Sequence, residues 1–380
     1  MAAAGKHAVL LVSNHADIIG GGEISLLTLV QGLRATRWRP HLAVPGPGEV
    51  ARRCRALDVP VHETPLPPIR RPGPGMLAAA RSMRRLIART GARVVHANGS
   101  RAMFYAGLAR RSQHCLAIWH LRILEPDPPL DPLLVRLADG VIAISEAVRE
   151  RLRRWPRVHQ ACRVIPNGLD LHAFADPGGR SKTRTALGLN DDQLVVMCVS
   201  RLIDFKRHDL LLEAIAALRP AHPTLRCVLV GDGPAAATLQ DRAARPDLRD
   251  AVIFTGHRDD VVGLLHAADV FVLPSPAEGF GRVVIEAMAA GLPVVASRSG
   301  GPAEIIADGD TGMLVEPHSA AALQHAIAGL AGDAAARARI GGAARQAVAD
   351  TYTIAAHTRR VVAFYEELLA RADRRPARAR

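Results

Sequence analysis

The sequence predicts an α/β protein of two successive domains, each a parallel sheet covered by helices. Three observations carry that expectation. Apolar, strand-like runs alternate with segments of helical spacing along the chain. The alternation restarts after "ADPGGRSK" (175–182), a polar Pro/Gly stretch suited to an interdomain linker. The third is size: 380 residues, 49% hydrophobic and 22% charged, are many for one core and comfortable for two.

"HAVLLVS" is the first strand; it meets the glycine cluster "IIGGGE" (18–23), and "ISLLTLVQGLRA" follows with helical spacing. Strand, glycine turn and helix form the opening of a nucleotide-binding α/β unit. "HLAVPG" then reads as strand, "GEVARRCRALD" as helix, "ARVVHANG" and "LAIWHLR" as strands, "GVIAISEAVRERLRR" as strand into helix, and "CRVIPNG" as strand. Proline density makes "PVHETPLPPIRRPGPG" (60–75) a surface loop, because it cannot join a sheet interior. In the second set, "QLVVMCVSRL", "LRCVLVGDGP", "AVIFTG", "DVFVLPS", "PVVAS" and "TGMLVEP" are strands, separated by helical segments such as "HDLLLEAIAALR" and "DVVGLLHAA". A last long helix, about 354–372, precedes "RRPARAR", a loose tail. Two such domains place a ligand cleft between the C-terminal ends of their strands.

No apolar run approaches the ~20 residues of a membrane-spanning helix, and "HAVLLVS" is too short for a signal sequence, so the expected location is the cytoplasm. Cys54, Cys115, Cys162, Cys198 and Cys227 form no CxxC pair and do not cluster with histidines at zinc spacing. Buried reduced thiols are expected, and no metal site. The net charge of +13 is unevenly placed: residues 1–175 hold 25 Lys and Arg against 12 Asp and Glu, and residues 176–380 hold 24 against 24. Its densest stretches, "ARSMRRLIARTGAR" (80–93) and "VRERLRRWPR" (148–157), mix Arg with apolar residues at helix-compatible spacing. Two readings stay open: a face drawn to an anionic membrane, at about 1 kcal/mol per basic residue, or a solvated surface. Nucleic acid is not an expected partner, because aromatics are 3% and do not interleave with the basic residues.

Several phrases stand out together: "GGGEISLL" (20–27), "ADGVIAISEAVRERL" (138–152), "VIPNGLDLHAF" (164–174), "VSRLIDFKRHDLLLEAIAAL" (199–218), "LVGDGP" (229–234), "FTGHRDDVVGLLHAADVFVLPSPAEGFGRVVIEAMAAGLPVVAS" (254–297) and "GGPAEIIADGDTGMLVEP" (300–317). In this order, over nearly the whole chain, they resemble the retaining glycosyltransferases of family 4. The resemblance implies the GT-B fold: two Rossmann-like domains with parallel sheets facing across a cleft, and a C-terminal helix returning to the N-terminal domain. It implies an acceptor-side domain at 1–175, a donor-binding domain at 176–355, and a C-terminal helix and basic tail at 356–380. The implied reaction moves a sugar, with retention, from a UDP- or GDP-sugar to an acceptor hydroxyl, with no cofactor and no metal. The basic first half motivates the expectation of a lipid-linked or envelope-glycan acceptor, met at the inner membrane face, in envelope or extracellular glycan or glycolipid assembly.

The chemistry agrees with the residue types. Transfer breaks the bond between the anomeric carbon and the leaving phosphate, and positioned cations and backbone donors stabilise the charge that builds there. By similarity Arg201 and Lys206 are the diphosphate clamp, Arg gripping oxygens bidentately and Lys supplying a compact charge. Arg207 replaces the family's usual glycine, either as an added phosphate contact or as an outward-pointing side chain. Gly21 and Gly22 let the backbone at a helix start approach the phosphate or sugar, or else pack helix on strand; Glu23 follows in the first turn.

His120 matches a histidine that in the family faces the donor sugar; His96 is a weaker candidate, and Asn98 stands where relatives often carry a further histidine. Asp139, Ser145, Asn167 and Gly168 read as caps and turns, and Gly231–Gly233 as a strand-to-helix turn. Glu278 and Glu286, "AEGFGRVVIEAMAA", flank a glycine-bearing turn, with Glu286 about two turns into the following helix. That spacing argues against facing catalytic carboxylates and for two grips along one ligand. The resemblance gives Glu278 the donor-sugar hydroxyls, Gly279, Phe280 and Gly281 the backbone approach, and Glu286 the ribose hydroxyls; the alternative for Glu286 is a cap or pairing within its own domain. Two alternatives use the same donor site: a nucleotide-sugar epimerase or sugar-phosphate synthase of GT-B type, and a non-catalytic nucleotide-sugar-binding subunit. A dehydrogenase is disfavoured, since "IIGGGE" lacks the GxGxxG spacing.

Overall fold

The computed structural model describes residues 7–70, 73–110, 115–175 and 179–374. The chain divides into two compact units, Met1–Gly168 with Ile354–Arg380, and Leu169–Thr353.

In the first unit the strands are β1 (His7–Ser13), β2 (Trp38–Val44), β3 (Val61–Glu63), β4 (Ala92–Asn98), β5 (Leu116–Leu121), β6 (Gly140–Ala143) and β7 (Arg163–Val164). They form one parallel sheet in the order β3-β2-β1-β4-β5-β6-β7. Strands such as "VLLV" are buried on both faces, as parallel strands between helical layers must be. One expectation is corrected here: Val61–Glu63, inside the proline-rich 60–75, is a strand. It sits at the sheet edge, where Pro60 contributes only its carbonyl to Leu42 N (2.9 Å) and its missing N–H costs no ladder bond. The last helix, Ile354–Asp373, packs on the helix Gly21–Arg34, so the C-terminal helix does return to the first unit. Its Tyr365 meets Trp38 edge-to-face at 5.1 Å within the core.

The second unit carries β8 (Val195–Val199), β9 (Arg226–Val230), β10 (Val252–Phe254), β11 (Val270–Leu273), β12 (Val294–Ser297) and β13 (Met313–Val315), all parallel, in the order β10-β9-β8-β11-β12-β13. Asp269 locks the start of β11 to its neighbour: its carboxylate accepts from Val195 N, Arg180 and Arg184, each at 2.7 Å. Arg180 and Arg184 belong to the helix Arg180–Ala186, so the end of the stretch read as a linker is helical. Residues 176–178 of that stretch, and 375–380 of the basic tail, lie outside the described residues. All five cysteines are free and buried, as expected, and burial pushes the thiols of Cys54, Cys115, Cys162 and Cys198 up to about 12. Among the described residues no helix is long and apolar enough to cross a membrane.

Candidate functional site

In each sheet the strand order reverses once, between β1 and β4 in the first unit and between β8 and β11 in the second. The C-terminal ends of the strands flanking such a reversal are where α/β sheets bind ligands. Most of the residues singled out from the sequence fall there.

In the second unit Arg201 follows the end of β8, and Lys206 closes the 3-10 turn Asp204–Lys206. Glu278 lies in the loop after β11, and Glu286 is in the second turn of the helix Arg282–Ala289. Lys206 Nζ donates to Glu278 Oε1 at 2.5 Å, with both side chains largely buried, at 15% and 14% exposure. Arg282 Nε donates to Glu286 Oε1 at 2.8 Å. Burial raises the Glu286 carboxyl above its ordinary range, against the pull of Arg282. Arg201 is exposed, and its side chain has no partner among the described residues.

Two glycine turns fix these loops. Gly231 has φ 138°, and a Cβ there would come within 2.0 Å of Ser200 O; Leu202 N donates to Asp232 O at 2.9 Å. The turn at Gly231–Gly233 is therefore the support against which the backbone around Arg201 is laid. Gly300 (φ 59°) does the same for the other loop: a Cβ would lie 2.2 Å from Glu278 O, and Gly301 N donates to that oxygen at 2.8 Å. Phe280 is buried edge-on against Tyr352, with ring centroids 6.0 Å apart, and Gly281 (φ 78°) opens the helix bearing Glu286. Behind Lys206, His208 Nε2 meets Ser200 Oγ at 2.9 Å, and burial together with the Lys206 charge brings its pKa down to about 4. Arg207 occupies a left-handed position (φ 55°), which accounts for the glycine usual there; its guanidinium donates to Asp209 (2.8 Å) and approaches His318 Nδ1 (2.6 Å).

In the first unit Gly21, itself exposed, opens the helix Gly21–Arg34 without a side-chain cap, so its first N–H groups have no intrahelical partner. Neither Gly20 nor Gly22 has a positive φ, and a Cβ would meet nothing within 4 Å at Gly20 and only Arg122 Cδ, at 3.6 Å, at Gly22. Packing does not require glycine at these two positions. Gly22 O accepts from Asn98 Nδ2 at 3.2 Å. Arg122, which sequence reasoning passed over, donates to Asn98 Oδ1, to Asn167 Oδ1 (2.9 Å) and to His120 Nδ1 (3.2 Å). It thus ties Gly22 to His120. His120 and His96 are fully buried, with ring nitrogens 2.9 Å apart, and burial beside Arg122 holds both well below the ordinary histidine range. Asp139 accepts from Ala117 N (2.8 Å) and Ser145 caps Val148 N (3.1 Å), the structural roles expected of them.

Chemically, the second-unit arrangement offers carboxylate acceptors for hydroxyls and cations for phosphate, paired with each other. Two family models match this chain: Glycosyltransferase Family 4 over residues 19–173 and Glycosyl transferases group 1 over residues 179–347. The fold is that of the GT-B enzymes. The crystal structure of Anabaena HepE in complex with UDP and glucose aligns with a TM-score of 0.82 and 25% identity, covering 94% of this chain and 99% of that one.

LpsB of Rhizobium meliloti, a lipopolysaccharide core biosynthesis mannosyltransferase, is 32% identical over 246 residues, 62% of this chain and 68% of that protein. The GDP-mannose-dependent alpha-(1-6)-phosphatidylinositol monomannoside mannosyltransferase of Mycolicibacterium smegmatis is 36% identical over 225 residues, 57% of this chain and 59% of that protein. The chain belongs to the group 1, family 4 glycosyltransferases. It spans 55–59% of the length of several curated relatives that it matches.

Proposed function

We propose that this protein is a retaining glycosyltransferase that moves a sugar from a UDP- or GDP-sugar to a hydroxyl of a lipid-linked or envelope-glycan acceptor. One observation carries the reading: the paired Lys206–Glu278 and Arg282–Glu286, set on either side of one glycine-bearing loop at the switch point of the second sheet. A nucleotide sugar satisfies both pairs at once. Its diphosphate takes Lys206 and the exposed Arg201, its sugar hydroxyls take Glu278, the backbone of Gly279, Phe280 and Gly281 lines the sugar and phosphate, and its ribose diol takes Glu286. In the first unit Gly21 and Gly22 admit phosphate or sugar to the helix start, and His120 hydrogen-bonds the sugar.

The assigned set includes no enzyme nucleophile, and retention then follows from front-face substitution. Leaving phosphate and incoming hydroxyl share one face, the phosphate takes the acceptor's proton, and Arg201 and Lys206 stabilise the charge it acquires. The UDP in the HepE complex and the GDP-mannose in the name of the mycobacterial relative support the donor class, and the names of both curated relatives support a glycolipid acceptor.

The helix Pro74–Thr90 supports a station on an anionic membrane surface: it carries no acidic residue, and Arg81, Arg84 and Arg85 are exposed beside Leu77, itself 62% exposed. The full chain, given donor with a lipid-linked acceptor, should release nucleoside diphosphate and form a product that keeps the donor's anomeric configuration. Isomerised donor without acceptor would instead make it an epimerase, and donor binding without turnover a binding subunit. Indifference to anionic vesicles at low salt, with turnover of a soluble acceptor, would remove the membrane station.

A further inference from the structure

Three buried side chains of the first unit form a hydrogen-bonded line. Tyr365 Oη, on the last helix, lies 2.7 Å from His96 Nδ1 on β4, and His96 Nε2 lies 2.9 Å from His120 Nδ1 at the end of β5. All three residues are 0% exposed.

Such a line has two proton orders. In the first, Tyr365 O–H donates to His96 Nδ1, His96 Nε2–H donates to His120 Nδ1, and His120 keeps its own proton on Nε2. In the second, His120 Nδ1–H donates to His96 Nε2, and His96 Nδ1–H donates to the phenol oxygen. Arg122 separates them. Its Nη2 stands 3.2 Å from His120 Nδ1, and a guanidinium has only N–H groups to offer, so the second order would set N–H against N–H. That order would also leave the buried phenol proton with no acceptor among the described residues. The first order satisfies every atom of the line except one: His120 Nε2, completely buried and without a partner. An unpaired buried donor is costly, and the group that removes the cost is an oxygen acceptor.

We propose that Tyr365 and His96 are positioning residues that hold His120 as its Nε2–H tautomer, so that His120 serves the sugar substrate as a neutral hydrogen-bond donor and not as a base. The sugar as recipient rests on the glycosyl-transfer reading; the tautomer rests on the protein alone. Arg122 reinforces it from the side, and His357, whose ring lies parallel to that of His120 at 6.4 Å, donates its own Nδ1–H to Pro166 O at 2.7 Å.

The test is long-range proton–nitrogen correlation NMR on the full chain labelled at histidine nitrogen, with His96→Gln and His120→Asn to assign the signals. Both rings should be neutral, with the proton on Nε2, from about pH 6 to 8. A proton on His120 Nδ1, or an imidazolium there, overturns the proposal whether or not the protein turns over any donor. In the transfer assay Tyr365→Phe and His96→Leu should each lower kcat about tenfold while leaving the donor KM within about twofold. His96→Gln, whose amide N–H can replace Nε2–H, should recover most of the loss. Wild-type kcat in both Tyr365→Phe and His96→Leu would refute the positioning role. Absence of any transfer by the wild type would refute the functional reading instead, leaving the tautomer to the NMR result.

Discussion

The two units use the same place in the same kind of sheet for opposite electrostatics. At the first switch point the groups around His120 are mostly neutral: two imidazoles, two carboxamides and the glycine backbone, interlocked by Arg122, with Glu23 on His15 and Arg101 on the carbonyl of Asn14 at the edge. At the second they are two ion pairs at partial exposure and a free arginine. Neutral hydrogen bonds in a buried lattice fix direction, because each donor has one acceptor and reversal leaves a proton stranded. Ion pairs near solvent can exchange partners, because a phosphate can take the cation while a hydroxyl satisfies the carboxylate. The difference separates a part that orients from a part that grips.

The gripping half gives the largest expected effect. Lys206→Ala removes a phosphate cation and leaves Glu278 mostly buried without its partner, so turnover should fall by about a thousandfold in a steady-state assay. Activity within tenfold of the wild type would erase the contrast between the units.

Acid should sharpen the contrast in the opposite direction. A histidine held neutral by burial is a group whose folded pKa is depressed. Below about pH 6.5 the unfolded chain binds a proton that the folded chain refuses, and stability falls until the folded pKa is reached. For His208, brought down to about 4, the loss approaches about 3 kcal/mol by that pH. His208 carries that loss in the second unit, and His96 and His120, held well below the ordinary range, carry theirs in the first. Hydrogen exchange at pH 5 should therefore loosen β4 and β5 more than β8 and β11; equal loosening would mean that the imidazole lattice carries no special acid sensitivity.

The smallest effect is expected at Arg207. Glycine there should raise stability by about 1 kcal/mol, because the left-handed φ is costly for a side chain and the exposed pairing with Asp209 returns little. Thermal unfolding reads the gain, and donor affinity should not change. A tenfold loss of affinity would place the Arg207 guanidinium on the phosphate.

Much of this was legible in the chain, for reasons that differ by element. Strands such as Val195–Val199 announce themselves as short apolar runs before glycine turns, and the alternation set the fold class. The edge strand Val61–Glu63 was hidden by its prolines, which forbid only an interior place. The helices Ala320–Gly332 and Ala334–Thr351 were not read because their many alanines blur the polar and apolar faces. Lys206, Glu278 and Glu286 stand in compact motifs.

Arg122, Arg282, Gly300 and Tyr365 were missed because their roles come from contacts. Tyr365 and His96 are 269 residues apart, and Gly300 matters only through the carbonyl of Glu278. A local signal existed in two cases: adjacent glycines after a strand at 300–301, and an arginine four residues before Glu286 on the same helix face.

The claim that the ion-paired half grips one nucleotide sugar along its length is tested most directly by calorimetric titration of UDP- and GDP-sugars into the wild type and Glu286→Ala. One of these donors should bind the wild type, with affinity about 10- to 100-fold weaker in the variant, as loss of hydrogen bonds to a charged acceptor should produce. Equal affinity in the two proteins would contradict it.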